Sequence, residues 1–254
     1  MTSTMTRLQK SQTLQGRREA GSLAWLALLG LAFVCGSARA DDAPAAGGLG
    51  AQIATSGTNK GAPACSACHG ANGEGQDGAG IPRLAGLDAA YIARQFASFE
   101  DGSRSNDTMK FIVTNLTAAD RDAVAKYYAA LPAPKLATSM TPVNAAGQEL
   151  AQRGAWGVGV PPCASCHGAQ GQGVGASFPP LAGQPSSYIV SQFNAWRDGS
   201  RHNDPMGLMH GIATRLSDAQ IADVAAYYAM LSAQSGPPNA SATSKSPTDG
   251  KVVQ

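Results

Sequence analysis

Five cysteines and four histidines are all that 254 residues contain, and that scarcity already excludes several classes of protein. Four of the cysteines fall in two C-x-x-C strings and the fifth, Cys35, lies in the N-terminal segment, so none is left for a disulfide framework. The longest apolar run, Leu23 to Val34, is shorter than the ~18 residues a membrane-spanning helix needs. No stretch alternates apolar and polar residues long enough to predict a strand.

The N-terminal segment reads as an address. Arg7, Lys10, Arg17 and Arg18 precede the apolar run, and Ala38-Arg39-Ala40 supplies a small-x-small cleavage site. Residues 1–40 are predicted to be a secretion signal peptide, with the mature chain starting at Asp41. Phe33-Val34 stand where a lipoprotein signal before Cys35 would need small residues, and the surroundings of Arg17-Arg18 do not match a twin-arginine signal. Residues 1–40 carry five of the 19 basic and one of the 17 acidic residues, leaving 14 and 16 and a mature net charge of −2. No basic patch remains, which argues against nucleic acid as a partner, and no membrane span remains after signal removal.

What the chain does have is a repeated motif. Cys65-Ser66-Ala67-Cys68-His69 returns as Cys163-Ala164-Ser165-Cys166-His167. Two thiols two residues apart can add to the two vinyl groups on one edge of a porphyrin while the following histidine reaches iron through a ring nitrogen. A zinc site would gather both pairs on one ion, yet each pair has its own histidine in its own glycine-rich segment. The expected cofactors are two covalently bound haem c groups, held by Cys65 and Cys68 and by Cys163 and Cys166, with His69 and His167 on the irons.

The repeat extends well beyond the motif. Ile81-Pro82-Arg83-Leu84-Ala85-Gly86 answers Phe178-Pro179-Pro180-Leu181-Ala182-Gly183, Asp101-Gly102-Ser103-Arg104 answers Asp198-Gly199-Ser200-Arg201, and Tyr127-Tyr128 answers Tyr227-Tyr228. Helical patterns fill each half. Asp88 is placed to cap a helix carrying Tyr91, Ile92, Gln95, Phe96 and Phe99, and Ser186 or Ser187 to cap one burying Tyr188, Ile189, Phe193 and Trp196. Thr117-x-x-Asp120 and Ser217-x-x-Gln220 read as capping boxes opening the last helix of each half. The expected organisation is an N-terminal domain over 45–132, a proline-broken linker over 133–143, a C-terminal domain over 144–233, and a disordered Ser/Pro/Ala/Thr-rich tail over 234–254.

A sixth iron ligand separates carrier from catalyst, because a thioether closes the site. Met109 stands eight residues before Thr117, and Met209 eight before Ser217. Counting from Arg104 and Arg201 instead favours Met206, so residues are inserted between Arg201 and Met209. The last helix is the more rigid reference and an Asp204-Pro205 turn can absorb an insertion, which makes Met109 and Met209 the expected ligands. His210 adjoins Met209 but its counterpart is Lys110.

With these motifs the chain resembles the dihaem class I cytochromes c of the cytochrome c4 type, over nearly all of residues 45–233. The resemblance implies an all-α fold of two tandem class I cytochrome c domains related by a pseudo-twofold axis, haem propionates near the junction, and His/Met ligation at both irons. It also implies that the carbonyls of Pro82 and Pro179 accept hydrogen bonds from the ligand histidines. Leu87 departs from it, since the second copy has Gln184 and the family commonly has Gln.

The expected function is a periplasmic carrier of single electrons between redox protein partners, a terminal oxidase among the candidate acceptors, with no substrate chemistry of its own. The alternative is a cytochrome subunit of a periplasmic dehydrogenase. A dihaem peroxidase would need an open or displaceable iron position, and the spare histidines are only His202 and His210.

Overall fold

The computed structural model describes residues 47–133 and 144–232, so the expected signal peptide with Cys35, nearly all of the linker and the tail lie outside the described residues. Every regular element among the described residues is a helix or a 3-10 turn, and β pairing is limited to isolated bridges. The first half contains α1 (Leu49–Ser56), α2 (Ser66–His69), α3 (Ala89–Asp101), α4 (Asp107–Thr114) and α5 (Ala118–Ala130). The second repeats the order with α6 (Ala145–Arg153), α7 (Ala164–His167), α8 (Ser186–Asp198), α9 (Leu208–Ala213) and α10 (Asp218–Met230).

Local chemistry sets the helix starts. Thr117 Oγ1 accepts from Asp120 N at 3.1 Å while Thr117 N donates to Asp120 Oδ2 at 2.8 Å, and Ser217 and Gln220 repeat the exchange at 3.2 and 2.9 Å. Each such cap stabilises its helix by about 1 kcal/mol. Asp88 caps α3 by accepting from Tyr91 N.

The matching expectation for α8 is corrected. Ser186 is already the first helical residue, and Pro185 at the N-cap has no side chain able to accept. The missing acceptor comes from the other half: Asp77 Oδ1 accepts from Ser187 N at 3.0 Å and from Ser186 Oγ at 3.1 Å. Tyr188 is half-buried rather than buried, because its ring sits at the junction with its hydroxyl turned to Arg104.

Each half has its own core. Ile53, Phe96, Val113, Val124 and Tyr128 belong to the first, and Leu150, Phe193, Ile221, Val224 and Tyr228 to the second. The first and last helices of each half approach closely enough that only glycine fits at the crossing. A Cβ on Gly50 would lie 2.2 Å from Ala123 O, and one on Gly147 would lie 2.1 Å from Asp223 O.

The halves meet through equivalent segments running antiparallel. Arg104 pairs with Arg201 in an isolated bridge, flanked by Ser105 N to Ser200 O at 2.7 Å and His202 N to Ser103 O at 2.8 Å. Self-pairing of equivalent residues is what a local twofold relation produces.

Candidate haem sites

The C-x-x-C-H strings fold as single helical turns. His69 N donates to Cys65 O at 2.9 Å, and His167 N to Cys163 O at the same distance. Residues three and four apart share a helix face, so each turn presents two thiols and an imidazole together.

Both imidazoles are held by a backbone carbonyl. His69 Nδ1 lies 2.9 Å from Pro82 O, and His167 Nδ1 lies 2.8 Å from Pro179 O. A carbonyl only accepts, so Nδ1 carries the proton and Nε2 the lone pair. Burial holds both rings below the ordinary histidine pKa, against the opposing pull of the Pro82 and Pro179 carbonyls, and Arg104 lowers His69 further. Burial likewise pushes the Cys163 thiol up to about 11 and raises that of Cys65. Both stay S–H at neutral pH, the form whose hydrogen and sulfur add across a vinyl double bond.

All of these groups line one continuous cavity of about 610 Å³. Cys65, Cys68 and His69 face it from the first half, and Cys163, Cys166 and His167 from the second. Met109 and Met209 line it too, each packed against the core of its own half. Met206 is 98% exposed and outside the lining, on the tip of a 3-10 turn Pro205–Gly207 where its φ is +59°. That turn is the insertion that shifts the two sequence registers apart. His202 and His210 also lie outside the lining, with Nδ1 atoms bonded to Gly199 O at 3.1 Å and Trp196 O at 2.7 Å.

At the junction the cavity wall carries two buried cations. Arg104 binds Gln95 Oε1 at 2.9 Å, Tyr188 Oη at 2.8 Å and Gln192 Oε1 at 2.8 Å. Arg201 binds Asn203 Oδ1 at 3.0 Å and Gln192 Oε1 at 2.8 Å. Arg104 lies over Phe99 and Arg201 over Trp196, 4.6 and 4.2 Å from the ring centroids. Among the described residues neither meets a carboxylate. A buried cation ordinarily has an anionic partner, and a haem has two propionates. An apolar slot, two thiols, a neutral Nε2, a thioether in the lining and a buried guanidinium with no carboxylate beside it, in each half, fit a covalent haem in each half.

Local sequence gave no sign of one junction contact. Gln184 Oε1 accepts from Arg83 N at 3.1 Å and Gln184 Nε2 donates to Arg83 O at 3.0 Å. Arg83 is fully buried, and its guanidinium bonds Ala85 O and, at 3.1 Å, Ala182 O. Desolvation lowers its pKa to about 10, so it remains a cation at neutral pH.

The chain is similar to known proteins. The family model "Cytochrome c" matches residues 144–232, and "Cytochrome C oxidase, cbb3-type, subunit III" matches 52–127. The thiosulfate dehydrogenase electron acceptor of Stutzerimonas stutzeri is 48% identical over 175 residues, 68% of this chain and 81% of that protein. Cytochrome c4 of Pseudomonas aeruginosa is 34% identical over 206 residues, 80% of this chain and 92% of that protein. Among solved structures, thiosulfate dehydrogenase (TsdBA) from Marichromatium purpuratum matches with a TM-score of 0.67 and 43% identity. The match covers 72% of this chain and 40% of that longer chain.

Proposed function

The chain belongs to the cytochrome c4 family and is a dihaem electron carrier with two covalently bound haem c groups; on that premise we propose that it accepts electrons from a thiosulfate-oxidising dehydrogenase in the periplasm and passes them on singly. The observation that carries this reading is the 48% identity to an electron acceptor of thiosulfate dehydrogenase, against 34% to a cytochrome c4 of nearly full coverage. This reading draws its electron donor from the alternative in which the chain is the cytochrome subunit of a periplasmic dehydrogenase. A terminal oxidase stands as the candidate onward acceptor.

In this reading Cys65 and Cys68 hold the first haem and Cys163 and Cys166 the second, with His69 and His167 as proximal ligands and Met109 and Met209 as the sixth. Each haem supplies one reversible iron oxidation. The protein's part is to orient the imidazoles through Pro82 and Pro179, exclude water with the Phe96 and Phe193 cores, and neutralise propionates with Arg104 and Arg201. Met109 and Met209 would hold each iron through a thioether, which would raise the potential and leave no position open to small substrates. Cys68, which would carry one thioether of the first haem, is exposed.

The test is stopped-flow mixing of the oxidised holoprotein with a thiosulfate dehydrogenase and thiosulfate. Haem reduction that saturates with carrier concentration supports the assignment. Reduction no faster than that of an unrelated monohaem cytochrome c would overturn it.

A further inference from the structure

The peptide group that holds the first proximal histidine is itself held by a residue of the other half. Pro82 O accepts from His69 Nδ1, and the N–H of that same peptide unit, on Arg83, donates to Gln184 Oε1. The return bond from Gln184 Nε2 to Arg83 O fixes which end of the side-chain amide is oxygen. Gln184 is 4% exposed, so water does not compete for these bonds.

The second half repeats the proximal bond and lacks the next one. His167 Nδ1 meets Pro179 O, but that peptide ends on Pro180, which has no N–H to give. The position equivalent to Gln184 is Leu87. The two differences match: a glutamine at 87 would find no donor on Pro180.

An amide whose N–H is engaged becomes a stronger acceptor at its carbonyl, because hydrogen bonds in a chain polarise one another. A stronger acceptor on Nδ1–H makes the imidazole more basic and favours the higher charge of ferric iron. We propose that Gln184 is a positioning residue that lowers the reduction potential of the first haem from across the junction, through the Arg83–Pro82 peptide and His69, with no reciprocal relay to the second haem. The proposal rests on His69 and His167 being the proximal ligands. It makes the first haem's potential depend on how the halves are docked.

The experiment is a spectroelectrochemical titration of the full-length holoprotein, with the haems resolved by the NMR shifts of their methyl groups. Gln184→Leu is expected to raise the first haem's potential and leave the second's in place. Gln184→Met, which preserves side-chain length, carries the same expectation should the leucine variant fold poorly. Installing the relay in the second half by Leu87→Gln with Pro180→Ala should lower the second haem's potential, and Leu87→Gln alone should not. A first-haem potential that stays or falls in the Gln184 variants, or an equal shift at both haems, would overturn the relay. The His69 ring protons separate the two failures. If they are strongly shifted in the ferric protein and the potential does not move, the relay alone is wrong; if they are unshifted, the ligand assignment fails with it.

Discussion

Arg104 and Arg201 pair backbone to backbone across the junction, and each guanidinium is satisfied by neutral oxygens alone. Like charges brought this close repel, so nearby anions would favour the arrangement, and haem propionates are the anions that the proposed sites would bring. An electron arriving at either haem is stabilised by these cations. Arg104→Gln and Arg201→Gln should therefore each lower a haem potential by about 60 mV or less, the equivalent of a tenfold change for a one-electron couple. Because both cations are buried, the shift should persist at high salt. Spectroelectrochemical titration at two ionic strengths checks both points, and a rise in potential would remove the propionate role.

Asp77 caps a helix of the opposite half, and its protonation should loosen that clasp. The Ser187 N–H, followed by the Ser187 and Ser186 hydroxyls, holds the Asp77 pKa below its usual value. A carboxylate with a depressed native pKa contributes stability that is present above its unfolded pKa and lost as pH falls through the native one. The window therefore opens below about pH 4. Thermal unfolding of the wild-type protein and Asp77→Asn at a series of pH values should give a gap that narrows as pH drops through this window. At neutral pH, Asp77→Ala should cost about 1 kcal/mol, as other lost caps do. A gap independent of pH would show that the carboxylate's charge is not what holds α8.

The features legible in the sequence are those whose partners lie close along the chain. Capping boxes at Thr117 and Ser217, the stripe from Tyr91 to Phe99 and the turns carrying His69 and His167 are all local, with every partner within a few residues. The Asp77 cap and the Gln184 clasp join residues about a hundred positions apart, where periodicity carries no information. One trace was present: Pro185 occupies the place that Asp88 holds in the first repeat, and a helix start without an acceptor must borrow one. Leu87 is another. It reads as an isolated departure until Pro180 is seen to be a peptide with nothing to donate.

The close crossing of the first and last helices gives a stability test confined to one half. On Gly147 a methyl group would meet the Asp223 carbonyl at 2.1 Å and Tyr227 Cβ at 2.8 Å, and helix backbone cannot step aside as a flexible side chain can. Gly147→Ala should destabilise the second half by about 1 to 3 kcal/mol, the usual range for overpacking. Denaturant unfolding followed by the absorbance of each haem should show the second transition moving first. An unchanged midpoint would mean that the helices separate there at little cost.

Met209 and Met206 differ in whether they can reach the cavity. The two stand three residues apart, yet one lines the cavity and the other is 98% exposed on a turn. Reaching the cavity from position 206 would require unwinding the Pro205–Gly207 turn, which Asp204 secures by accepting from His210 N at 3.0 Å. Met209 needs no such change. Replacing Met209 by Ala should abolish one of the two Met–iron charge-transfer contributions at the red end of the ferric spectrum and lower one haem's potential, since a harder ligand replaces the thioether. Met109→Ala should do the same at the other haem. Met206→Ala should leave both bands and both potentials in place, and Met206→Gly, which removes the β-carbon at φ +59°, should do the same while relieving the backbone cost. Loss of a band in Met206→Ala with retention in Met209→Ala would move the ligand to Met206, and bis-histidine spectra in the unmodified protein would move it to His210.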